Sequence, residues 1–202
     1  MKRLFVLVAL LAALPLTGCV ATSDYMTRST AAAPTPAADK ALVVFMRPSN
    51  YGGGIQASVY DATGPGEEFI GIVSANTKVA WQAEPGKHLF MVIGENADFV
   101  NATLDPGKTY YILVSPRMGV WKARFSLLPI HDDPAAKYSL RSDDFREWQA
   151  GTYFVEKSPA AETWYREHAA SVAEKRADYM ERWKTSSPEQ QAELTVLPGD
   201  GV

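Results

Sequence analysis

The chain has 202 residues, with 20 Lys and Arg against 23 Asp and Glu and a formal charge of −3. That balance argues against nucleic acid as a partner, because such binding depends on neutralising phosphates, and against electrostatic docking on anionic lipid. Apolar residues make up 47% and aromatic residues 11%, enough for one hydrophobic core, and the single cysteine, Cys19, excludes a disulfide within the chain.

Lys2 and Arg3 supply a positive start, and Leu4 to Leu14 supply an apolar core. The core falls short of the roughly 20 residues of a permanent membrane helix, so residues 1–18 read as a signal peptide. Leu16-Thr17-Gly18-Cys19 closes it. This tetrapeptide resembles the lipobox of bacterial lipoproteins. The resemblance implies cleavage between Gly18 and Cys19, with lipid carried on Cys19. One acyl chain anchors only marginally, and the lipoprotein pathway implied here supplies several. Val20 stands where an aspartate tends to retain such proteins at the inner membrane. Its presence implies the periplasmic face of the outer membrane.

Removal of residues 1–18 takes Lys2 and Arg3 and leaves a formal charge of about −5. Residues 19–39 are small, polar and Pro-containing, and read as a flexible tether. About 20 flexible residues typically reach about 25 Å, which would hold a domain clear of the headgroups.

From Lys40 the texture becomes β-like. Ala41 to Met46 is a buried-looking run stopped by Arg47-Pro48. Ile55 to Tyr60, Phe69 to Val73 and Lys78 to Ala83 follow. His88 to Ile93, Phe99 to Leu104, Tyr110 to Val114 and Trp121 to Leu127 complete the set. Turn signals separate them at short intervals, and most runs alternate apolar with polar residues. The expectation is an antiparallel β-sandwich of seven to eight strands over residues 40–130. Glu84-Pro85-Gly86-Lys87 recurs as Asp105-Pro106-Gly107-Lys108. Pro then Gly is a type II turn signature, and the spacing places both copies at one end of the sheet.

The second part changes period. Residues 131–158 form a mixed connector, with Ser142 or Asp143 capping a short helix past Trp148 and a strand over Thr152 to Val155. Residues 159–186 read as a long amphipathic helix. Tyr165, Ala169, Val172, Tyr179 and Trp183 fall on one stripe. Tyr165, Val172, Tyr179 and Trp183 form a partner surface if that stripe does not pack on its own sheet. Ser187-Pro188-Glu189-Gln190 is the cap and first turn of a brief last helix, and residues 187–202 end as a tail. The fold class is mainly β with a C-terminal α element.

Ala41-Leu-Val-Val-Phe-Met-Arg-Pro48, Val59-Tyr-Asp61, Glu84-Pro-Gly-Lys-His88 and Asp105-Pro-Gly-Lys-Thr-Tyr-Tyr111 carry a family resemblance. With the lipobox, they make residues 40–128 resemble a domain of unknown function found in many proteobacterial lipoproteins. The resemblance implies a small β-sandwich module and supplies no catalytic residues. Residues 130–202 lie outside it.

The residues themselves point to no catalytic centre, metal site or cofactor. There is no Gly-x-Ser-x-Gly elbow, and the only thiol is the lipid site. His131-Asp132-Asp133 has metal-ligand residue types, but three adjacent loop residues do not converge easily on one ion. Glu67-Glu68 and Asp143-Asp144 read as solvated neighbours, unlike the facing carboxylates of a glycosidase. Trp81 and Trp121 belong to the apolar faces of their strands. Trp148, Trp164 and Trp183 are open to a sugar-stacking role. The expectation is a lipid-anchored, non-catalytic binding or scaffolding module with an envelope protein as partner. A peptidoglycan- or glycan-binding module is the first alternative, and a hydrolase built on His131-Asp132-Asp133 the second.

Overall fold

The computed structural model describes residues 23–118 and 124–202. The signal segment, Gly18, Cys19 and Trp121 lie outside the described residues. Eleven strands among them form two sheets, joined by three helices in the second part of the chain. The six-stranded sheet holds β1 (Met26–Arg28), β10 (Tyr153–Lys157), β5 (Thr77–Ala83), β2 (Ala41–Arg47), β8 (Thr109–Arg117) and β9 (Arg124–Ile130), in that order. The five-stranded sheet runs β11 (Thr195–Val196), β7 (Ala97–Leu104), β6 (Gly86–Ile93), β3 (Ala57–Asp61) and β4 (Glu68–Val73). The helices are α1 (Asp143–Gly151), α2 (Ala161–Lys184) and α3 (Pro188–Glu193).

The mainly β class with a C-terminal helix holds, but the sheets are mixed rather than antiparallel. β2 runs parallel to β8, β10 parallel to β5, and β11 parallel to β7. The reason lies in β2, where all seven residues are buried. Val43 and Phe45 enter the core shared by the two sheets, where Phe45 meets Phe90 edge-on at 5.2 Å. Met46 enters a second cluster with Leu113, Ile130 and Phe145 of α1. A strand buried on both faces reads as a continuous apolar run, which suits a parallel neighbour.

The outer face of the five-stranded sheet is covered in the same way by α2. Tyr165 stacks on Phe69 at 5.2 Å and lies 5.9 Å from Tyr60, and Trp183 packs on Phe99 at 5.9 Å. Val172 is 4% exposed. The stripe expected as a partner surface therefore packs on its own sheet. Tyr165, Val172 and Trp183 close the core, with Tyr179 packed beside them.

Two further expectations are corrected. The tether does not run free to residue 39. Met26–Arg28 pairs with β10, and Gln82 holds the backbone of Thr35 and Ala37. The C-terminal residues are not a loose tail either. Val196 is fully buried beside β7, and Val202 exchanges backbone hydrogen bonds with Thr109. Gly201 passes so close to Tyr110 and Lys108 that a Cβ would meet Tyr110 Cζ at 2.6 Å and Lys108 Cδ at 2.7 Å.

The two Pro-Gly turns do lie at one end, flanking the start of β2. Gly107 donates to the Lys40 carbonyl, and Lys40 pairs with Glu84. Gly107 has φ +74°, where glycine has no steric cost.

Gly201→Ala should displace the C-terminal residues from Thr109 and cost about 1–3 kcal/mol, the usual range for overpacking. Thermal unfolding checks the cost. Hydrogen exchange at the Thr109 and Val202 amides should accelerate in the variant, and unchanged exchange there would contradict the close approach.

Candidate functional site

The three histidines have separate surroundings. His88 Nδ1 lies 2.7 Å from Asp61 Oδ2, and Nε2 lies 2.8 Å from the Glu84 carbonyl oxygen. Both partners accept, so the protonated ring can donate from both nitrogens. Burial works against that charge, but the bonds to Asp61 and Glu84 carry the His88 pKa above its ordinary value. The ring stacks on Phe90 and leaves no nitrogen for a base or a metal. It ties the Glu84-Pro85 turn to the end of β3.

His131 Nδ1 lies 2.9 Å from Asp200 Oδ2, and Asp200 also accepts from the Leu197 and Asp132 amides. The bond to Asp200 raises the His131 pKa. Asp132 is turned away, held by two bonds from Arg141. So His131, Asp132 and Asp133 do not converge, and the described residues contain no group of three His, Cys, Asp or Glu able to hold a metal. His131 instead fastens residues 197–200 to the end of β9. His168 stacks on Trp164 on the surface of α2. Glu67 is not simply solvated. Its side chain is 9% exposed and faces Arg176 at 3.7 Å.

The arrangement that can bind a ligand lies elsewhere. A groove of about 540 Å³ runs between the C-terminal half of α2, α3 and the ends of β7, β8 and β9. Phe99, Tyr179 and Trp183 supply its aromatic wall, and Arg117, Arg124 and Arg182 its cations. The Arg182 guanidinium sits over the Tyr179 ring at 5.2 Å. Arg117 is engaged by Asp98 at 2.9 Å. Burial raises the Asp98 pKa, and Arg117 pulls the other way. Arg124 and Arg182 are exposed and have no carboxylate partner among the described residues.

The groove walls are fixed by buried polar contacts. Asn96 is 4% exposed, accepts from the Phe125 amide at 3.1 Å and donates to the Phe125 carbonyl at 3.2 Å. That latch joins the β6–β7 turn to the start of β9. Gln191 of α3 donates to the Trp183 carbonyl at 3.0 Å. A planar aromatic wall beside unpaired guanidinium groups suits a flat ligand that carries carboxylate or phosphate.

Of the residues expected at a site, Tyr179 and Trp183 line this groove, while Tyr165 and Val172 do not. Arg117, Arg124 and Arg182 carried no sequence motif. Their one signal was position, since Arg117 and Arg124 bracket a strand connection and Arg182 sits between two stripe aromatics. No protein-family model matches the chain, and a search of curated proteins finds no match.

The two His–Asp pairs set a pH window. Both histidines have raised folded pKa values, so their contribution is full below about 6.5 and fades as pH rises through the folded pKa. For Asp61 and Asp200, burial pushes upward, but the histidines and amide donors bring the pKa below 3.8. Their contribution is full above that value and fades as pH falls through the folded pKa. Thermal stability should therefore peak between about pH 4 and 6.5. Melting curves across pH should show a shallower alkaline decline in Asp200→Asn than in the parent chain.

Proposed function

We propose that this chain is a lipid-anchored, non-catalytic β-sandwich module of the bacterial cell envelope. In this reading it faces the periplasm and binds an anionic envelope ligand in the α2–α3 groove. The lipobox-like Leu16-Thr17-Gly18-Cys19 supports the anchor. The groove carries the binding reading: Arg124 and Arg182 stand exposed beside Tyr179 and Trp183 with no ion-pair partner among the described residues, Glu193 being a further residue of the lining. The ligand class that this chemistry favours is an acidic glycan or glycopeptide, whose sugar rings stack on aromatics while its carboxylates take guanidinium forks. Peptidoglycan is the envelope polymer of that description. A protein partner is the second reading, supported by the extent of a groove bounded by two helices and three strand ends.

Retention on isolated sacculi tests the ligand. The parent domain should be retained, and Arg124→Glu with Arg182→Glu should weaken retention about tenfold or more, since each charged hydrogen bond is worth about 1.5–3 kcal/mol. Both side chains are exposed, so the fold should survive. Retention unaffected by the double change would remove the groove from the proposal. Acyl labelling of the intact chain, lost in Cys19→Ser, tests the anchor separately.

A further inference from the structure

Among the described residues, Tyr51 and Ile55 are two of five exposed large apolar side chains, at 53% and 39% exposure. Both belong to the loop after β2. That loop is held by Arg47, whose guanidinium is fully buried and donates to the carbonyls of Tyr51, Gly52 and Ile55. The guanidinium lies over the Phe125 ring at 4.9 Å, and its Nε has no partner. Among the described residues no carboxylate pairs with it, and burial pushes its pKa down to about 10. Burying an unpaired guanidinium is costly. Here the return is a loop fixed so that two apolar side chains point outward.

Ile55 borders an apolar cleft of about 250 Å³ whose walls include Ile72, Ile93, Trp164 and Val172. Ile72 is also shared with a neighbouring cavity lined by Ser23. Tyr25 lies 5.7 Å from Trp164. The beginning of the described chain is thus seated beside this cleft. Ser23 is four residues beyond Cys19, a span of at most about 14 Å. An acylated Cys19 has to sit at the bilayer surface, so a link this short brings the cleft to the headgroups.

We infer that the surface formed by Tyr51, Ile55 and Trp164 rests on the phospholipid bilayer, seating the domain in one orientation beside its anchor. This rests on the lipid-anchor proposal for Cys19. The net negative charge of the chain makes the contact apolar rather than electrostatic. Aromatic and aliphatic side chains at headgroup depth provide it, and they fix an orientation that the acyl chains alone leave free. The ligand groove stays open in this pose. Trp164 and Trp183 lie near opposite ends of α2, about 28 Å apart along its axis.

Spin labelling tests the orientation, because a lipidated Cys19 leaves any introduced cysteine as the sole free thiol. Ile55→Cys and Lys137→Cys are labelled in the full lipidated chain, in phosphatidylcholine vesicles. Lys137 is exposed and follows β9, at the sheet edge opposite β1. The label at 55 should lose accessibility to a water-soluble relaxant several-fold relative to that at 137, and high salt should not restore it. Equal aqueous exposure at both sites, with the acyl mass present, would overturn the orientation alone. Absence of the acyl mass would overturn the anchor proposal and this inference together.

Discussion

The constraint on which this structure depends is that β2 and β3, one inside each sheet, are buried on both faces. In a two-sheet packing with solvated outer faces, each strand alternates apolar with polar. Here β2 and β3 have no exposed residue. Met46 would face water if α1 were absent, and Tyr60 and Phe99 would if α2 were absent. The helices are therefore required partners of the sheets. The second part of the chain cannot be an appendage, because its stripe of Tyr165, Val172 and Trp183 completes the core begun at Ala41.

That requirement also explains which parts of the fold were legible. Strands with an apolar run or a clean alternation, such as Ala41–Arg47 and Ala97–Leu104, announce themselves through their period. The caps did so too: Ser142 accepts from the Phe145 amide, and Ser187 with Gln190 forms a reciprocal capping box. β1 and β11 did not. Met26-Thr27-Arg28 and Thr195-Val196 are too short to show a period, and their strand state comes wholly from β10 and β7 beside them. The parallel pairing of β2 with β8 was hidden for a related reason. Turn residues mark where a strand ends and leave its neighbour unspecified.

The site was legible in its aromatics and not in its charges. Tyr179 and Trp183 stood out on the helix stripe, but helical spacing alone could not separate a packing role from a binding one. Trp183 packs on Phe99 with one part of its surface and borders the groove with another. Arg117 and Arg124 come from consecutive strands and Arg182 from a helix almost sixty residues further on. No local pattern predicts that they meet. The histidines show the converse. His131 with two following aspartates looked like chemistry, yet its partner is Asp200, sixty-nine residues away.

Arg47 connects the buried core to the surface. A lysine there would offer a point charge without a planar fork, and could not serve three carbonyls of one loop with fixed geometry. A leucine would suit the core better and would leave those carbonyls to find other donors. The arginine resolves the conflict by placing its charge among backbone dipoles and an aromatic face, where each carbonyl offsets part of the desolvation. The loop it holds gains its order from the core and displays Tyr51 and Ile55 from a rigid base. Short linkage at Ser23 and a rigid apolar display at Ile55 act in the same direction. In the orientation we propose, a domain with either feature alone could pivot about its lipid, whereas the two together would give two points of attachment and leave the groove at the far end of α2 facing away from the bilayer.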